Sequence, residues 1–240
     1  MVSDLLRDAV LVAKKDLMIE ARSKVTLAQL GPFAVLILVL FAFALDNLVV
    51  RDPNIAGELS GSDVRASLIS SGLFWIAVLF CALLAVQRSF AIEVADGGRD
   101  GLRLSALDPG GIFLGKAAAI VGQLAVLEVV LAAGIALFFR VKFTEPLVLL
   151  LVCVLATVGL AATGTCYGAL SAGLRVRDTL LPILYFPVVA PLLLGAVKAT
   201  GAALTGELSD AWPWVRLLAV FSVVYTALGV LVFGPLLEDS

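Results

Sequence analysis

Histidine is absent from all 240 residues of this chain. That absence removes Ser–His and Cys–His nucleophilic catalysis, the HExxH zinc site and histidine-ligated haem from this polypeptide. Charge is also scarce: Asp, Glu, Lys and Arg make up 15% of the residues, against about 25% in an ordinary soluble domain. A net charge of −2 offers no basic surface to nucleic acid. Cysteine is limited to Cys81, Cys153 and Cys166, all inside apolar stretches and without CxxC spacing. They read as small buried hydrophobes, not as a disulfide framework or a metal site. A cleaved signal peptide is not expected either, because Asp4, Asp8, Asp16 and Glu20 mingle with the basic residues of the N-terminal segment.

What the chain has instead is apolar surface, with 61% hydrophobic residues and a mean hydropathy of +1.09. Water cannot solvate such a surface, so the bilayer is part of the solvent. A helix needs about 20 apolar residues to cross the ~30 Å of hydrocarbon. Six runs reach that length: Leu27–Val50, Leu68–Ala91, Ile112–Phe139, Pro146–Leu170, Thr179–Val197 and Val215–Leu237. The connectors between them are short. Residues 1–240 therefore read as one all-α, polytopic integral membrane domain with six transmembrane helices.

Lys and Arg gather on the cytoplasmic flanks of membrane spans. With the N-terminus inside, the inner flanks hold Arg7, Lys14, Lys15, Arg22, Lys24, Arg88, Arg99, Arg103, Lys116, Arg175 and Arg177. The outer flanks hold fewer: Arg51, Arg65, Arg140, Lys142, Lys198 and Arg216. This bias predicts an N-in, C-in chain, with a cytoplasmic loop at 88–111 and with Trp212 and Trp214 at the outer interface. Ahead of the first span, Leu6, Val10, Ala13, Leu17 and Ala21 recur at helical spacing, with Asp8, Lys15 and Arg22 opposite. Residues 1–26 are thus expected to form an amphipathic helix on the cytoplasmic leaflet.

Four local patterns bear on chemistry. The string Gly110-Gly111-Ile112-Phe113-Leu114-Gly115-Lys116 has the glycines and the lysine of a phosphate-binding P-loop. Ala117 stands where a Ser or Thr would hold Mg²⁺, however, and a membrane span follows. A tight turn entering the third span, with Lys116 among the headgroups, is the expectation. Glu128 lies mid-span, where a carboxylate is costly and marks function or a buried partner. Protonation or a hydrogen bond from a neighbouring helix offsets that cost. An anchor, a coupling or transport-path role and a proton relay all stay open, with Gln123 on the same helix able to line the same polar face. Gly164, Gly168 and Ala172, four apart, let helices approach closely, within a protomer or across a dimer. Pro182, Pro187 and Pro191 interrupt the fifth span, either as a kink lining a cavity or as a bent structural helix.

The stretch from Arg88 to Asp108 is a polar island between apolar runs. Glu93, Asp96, Arg99, Asp100 and Arg103 carry its charge, and Gly97, Gly98 and Gly101 free its backbone. Composition alone leaves a solvated connector and a docking element for a soluble partner both open.

Here the residues resemble a known family. Arg88-Ser89-Phe90-Ala91 followed by Glu93, Asp96 and Gly97 is similar to the cytoplasmic loop of the CcmB family, the membrane subunit of the cytochrome c maturation ABC system. The likeness continues through Ile112–Lys116 to Glu128, and includes Lys15-Asp16-Leu17, Glu20, Arg22 and Lys24. It extends to Leu180-Leu181-Pro182, Pro187 and Pro191, and departs from the family pattern at Gly98-Arg99-Asp100. The resemblance implies an ABC-2 exporter-type permease in the cytoplasmic (inner) membrane, non-catalytic and without a cofactor of its own. ATP and Mg²⁺ would be bound by a separate cytoplasmic ATPase, which the segment 88–111 would meet as a coupling loop through Arg88, Glu93, Asp96 and Gly97. A second copy of the chain and haem-handling membrane subunits are the further partners implied, with haem export or release of a haem-loaded chaperone as the task. An ABC-2 permease for a lipid, polysaccharide or drug is the alternative within the class. An ion-coupled carrier using Glu128 is the alternative outside it.

Overall fold

The structure, a computed structural model, describes residues 2–23, 28, 31–37, 39–40, 62–95, 107–139, 143–172 and 177–238. The regular elements among them are all helical. We number the long ones α1 (Val2–Ser23), α2 (Ser62–Ala95), α3 (Pro109–Phe139), α4 (Pro146–Ala172), α5 (Arg177–Thr205) and α6 (Leu208–Glu238). Part of the first apolar run is helical too, at 31–37 and 39–40, and its Phe33 meets Phe80 of α2 edge-on at 6.2 Å. Apart from residue 28, the rest of that run lies outside the described residues.

Helices α2 to α6 each hold a stretch long and apolar enough to cross a membrane: Ile69–Ala91, Pro109–Leu137, Pro146–Ser171, Thr179–Thr205 and Leu208–Pro235. A helix satisfies its own backbone, which hydrocarbon cannot do. Apolar residues point both ways. Trp75, Phe113, Leu124, Leu160 and Leu192 are sealed inside, while Val129, Leu137, Leu147 and Leu231 are between 70% and 80% exposed. Water would make that outer surface an aggregation hazard; for a helix in lipid it is ordinary. Hydroxyl and indole groups tie the helices to one another. Trp75 Nε1 donates to Thr200 Oγ1 at 2.9 Å, the Tyr185 hydroxyl to the Leu160 carbonyl at 3.1 Å, and Ser222 Oγ to the Leu155 carbonyl at 2.6 Å. Such bonds contribute about 0.6 kcal/mol each on average inside membranes.

The bundle has two ends. At one, Asp108 caps α3: its Oδ1 accepts from the N–H groups of Gly110 and Gly111 at 2.8 and 3.2 Å. Pro109 takes the first helical position, where its fixed φ suits the helix and its missing N–H costs nothing. At the other end, Gly206 closes α5 with φ +82° and Glu207 N–H donates to the Ala202 carbonyl at 2.9 Å. The Thr144 hydroxyl donates to the Leu204 carbonyl at 2.8 Å and fastens the α3–α4 connection to that end.

Several expectations shift. Helix α2 continues to Ala95, so residues 88–95 of the expected loop are helical. Helix α3 starts at Pro109, so Gly110 and Gly111 lie in a helix and not in a turn. At 1.5 Å per residue, 34 and 31 residues make α2 and α3 about 51 and 46 Å long, well over the ~30 Å of hydrocarbon. Pro182, Pro187 and Pro191 do not break α5, which runs unbroken from Arg177 to Thr205. Pro187 and Pro191 face outward, away from the buried Leu181, Tyr185 and Leu192.

Candidate functional site

The glycines of the P-loop-like string form a seat for α1. Leu5 lies beside Gly110, Ala9 and Val12 beside Gly115, and Leu17 beside Gly122, so α1 runs along the first half of α3. The approach is close because α3 presents no side chain there. A methyl group on Gly115 would stand 2.6 Å from both the Ala9 carbonyl oxygen and Val12 Cβ; on Gly111 it would stand 2.9 Å from Asp8 Cβ. Asp8 adds a polar tie, its Oδ2 accepting from Asp108 N–H at 3.1 Å.

This docking gives α1 a second occupied face besides its apolar stripe. Of the expected stripe, Leu6 and Val10 are exposed, while Leu17 lies at its edge and reaches Gly122. The docked side carries Val12 and Glu20, both buried, with Ala9 and Asp16 beside them. Amphipathic spacing says which residues share a face, and small residues decide which face can approach a neighbour.

The two acids on the docked side meet two cations. Lys116, 1% exposed and enclosed by protein, has Nζ 3.5 Å from Asp16 Oδ2. Arg88 of α2 has Nε 3.7 Å from Glu20 Oε2. Lys15 also reaches Asp16, 3.2 Å from Oδ1. At such separations a pair attracts by about 4 kcal/mol in a protein-like dielectric, and desolvation removes much of that gain. Net stability is small, but the cost of losing one partner is large. Lys116 Nζ also lies 5.0 Å from the centre of the Phe90 ring, within cation–π range. One edge of that ring presses on Gly168 of α4, and Val86 stands against both Gly168 and Gly164. Phe90 therefore joins the charged end of α1, α2 and α3 to the small-residue stripe of α4.

Of the residues proposed for coupling, Arg88 belongs to this cluster. Glu93 falls in the last turns of α2, with its side chain outside the described residues; Asp96 and Gly97 lie outside them altogether. Ala172 is helical, and its side chain is likewise not described.

Glu128 sits elsewhere, toward the Gly206 end. It is buried and accepts a hydrogen bond from the Thr157 hydroxyl of α4. It also lines a cavity of about 390 Å³ whose other walls include Ser70, Ser71 and Phe74 of α2, Ile135 of α3, Cys153 of α4 and Thr200 of α5. Gln123 does not line this cavity. Five residues along a helix place two side chains about 140° apart, so Gln123 and Glu128 do not share a face. Thr157 carries no signal in the sequence, being one of three threonines in α4 with Thr163 and Thr165, until its partner is known. Thr157→Val is expected to destabilise the bundle by about 1–3 kcal/mol, because a buried carboxylate loses its donor, whereas Thr157→Ser is expected to be nearly neutral. Thermal unfolding of the detergent-solubilised protein reads the difference.

Among the described residues, five long apolar helices, exposed aliphatic flanks and polar ties turned inward define a multi-pass α-helical membrane protein. Comparison with known families goes further. The family model described as "CcmB protein" matches residues 7–238, nearly the whole chain, and the chain belongs to that family. It is 32% identical over 130 residues to a heme exporter protein B of Rhodobacter capsulatus, a match covering 52% of this chain and 58% of that one. The chain thus matches little more than half the length of that relative. It is 29% identical over 194 residues to the heme exporter protein B of Haemophilus influenzae, covering 80% of each.

Proposed function

We propose that this chain is the permease subunit of an ATP-driven haem-export system serving cytochrome c maturation, in the cytoplasmic (inner) membrane. Family membership over residues 7–238 is the observation that carries this reading, together with relatives named for haem export. On this reading the Asp108 end faces the cytoplasm. A separate ABC ATPase binds ATP and Mg²⁺ and presses on the end of α2 and the segment that follows it, where Arg88, Glu93, Asp96 and Gly97 form the coupling site. The ion-paired frame supports it. Asp16, Glu20, Arg88 and Lys116 clamp both roots of that segment to α1, and Phe90 carries displacement on to α4. A second copy of the chain would supply the other half of the pathway, and haem-handling membrane subunits would hold the iron that a chain without histidine cannot hold through imidazole.

Glu93→Ala with Asp96→Ala is the test, in cells that express the cognate ATPase. We expect the variant to insert normally while co-purification of the ATPase falls at least tenfold and c-type cytochromes are lost. Undiminished co-purification together with wild-type cytochrome levels would remove the coupling role.

A further inference from the structure

Read along the sequence, α1 has mixed charge: Asp4, Asp8, Asp16 and Glu20 against Arg7, Lys14, Lys15 and Arg22. The fold sorts these charges. Asp8 bonds the start of α3, Asp16 pairs with Lys116, and Glu20 pairs with Arg88, so three of the four acids turn inward. Arg7, Lys14, Lys15 and Arg22 remain on the exposed side. The fold, not the composition, makes the outer face cationic.

That face is also apolar along one flank. Lys14, Lys15 and Arg22 border a shallow groove with Leu11, Met18 and Ile19, and a second shallow depression beside it is lined by Val10, Leu17 and Met18. Cations on one side and aliphatic side chains on the other match a phospholipid with an anionic headgroup: phosphate against the amines and guanidinium, acyl chain against Val10, Leu17 and Met18. The helix ends at Ser23, a few residues before the first apolar run, which brings the face to the bilayer boundary.

We infer that the outer face of α1 is a binding site for anionic phospholipid, with Lys14, Lys15 and Arg22 holding the headgroup. The occupant is a lipid of the adjoining leaflet, and the site exists only because Lys116 and Arg88 draw the acids of α1 away from it.

The test uses the full-length protein in nanodiscs with Met18→Trp as reporter, and brominated acyl chains on either phosphatidylglycerol or phosphatidylcholine at equal mole fraction. The background from Trp75, Trp212 and Trp214 is measured without the reporter. Brominated phosphatidylglycerol is expected to quench the reporter several-fold more effectively than the choline lipid. Lys14→Gln with Arg22→Gln, which leaves the Lys15–Asp16 pair in place, should weaken that preference by about fivefold per cation, the scale of one basic residue near an anionic membrane. Lys198→Gln, an exposed cation toward the other end of the bundle, should leave it unchanged. Equal quenching by the two lipids would overturn the inference. So would the absence of quenching by either, which would mean that protein covers the face.

Discussion

Asp16→Asn is expected to destabilise the protein by about 3–5 kcal/mol, the usual cost of leaving a buried charge without its counter-charge. Lys116 is 1% exposed, so water cannot take over from the carboxylate. The Phe90 ring, 5.0 Å away, recovers part of the loss, on the order of 1 kcal/mol. Adding Lys116→Met removes the stranded charge and is expected to restore most of the stability. The double variant should thus be more stable than the single one, which separates an ion-pair effect from a general disturbance of α1. Thermal unfolding of the purified protein, run as a double-mutant cycle, measures the coupling. If Asp16→Asn alone costs under 1 kcal/mol, the buried pair has no structural weight.

The second large effect is expected at Gly168. A methyl group there would stand 2.4 Å from the Phe90 ring and 3.0 Å from Val86 Cγ1. Gly168→Leu is expected to cost about 3 kcal/mol, the upper end for overpacking a dense interior. Phe90→Ala in the same chain should relieve the clash, although it also takes the ring from Lys116. On the proposed function the relieved variant inserts and folds but fails to mature c-type cytochromes, because the link from the charged end to α4 is gone. Protein abundance in the membrane and cytochrome content are the two readouts. If abundance and cytochrome content recover together, Phe90 serves packing alone.

Much of the fold was legible because hydrocarbon enforces a simple rule, a run of about 20 apolar residues per crossing. The last five of the six runs all coincide with long helices, from Leu68–Ala91 within α2 to Val215–Leu237 within α6. Their ends were harder to read, since hydropathy marks where lipid stops and not where a helix stops. Helix α2 carries Arg88 and Glu93 past the apolar limit and stays helical to Ala95. At the start of α3, Gly110 and Gly111 suggest a turn although both are helical. Asp108-Pro109, a capping residue followed by the favoured first-turn proline, was the better guide. Least legible was the charged cluster. Asp16, Glu20, Arg88 and Lys116 were each noticed as residues carrying a family likeness, but no local pattern says that they meet. Their meeting depends on α1 lying in a glycine groove far along the chain.

The distance along the chain between α1 and its seat also sets an order of events at the ribosome. Helix α1 is synthesised first, yet Asp16 has no Lys116 until a hundred more residues have been added. At about 5–20 residues per second this interval is on the order of ten seconds. Throughout it α1 waits at the membrane surface, its acids still in water and its glycine seat not yet made. Arg88 emerges before Lys116, so Glu20 can meet Arg88 before Asp16 meets Lys116. The helix that leads the chain out of the ribosome therefore settles only after α2 and the first turns of α3 have followed.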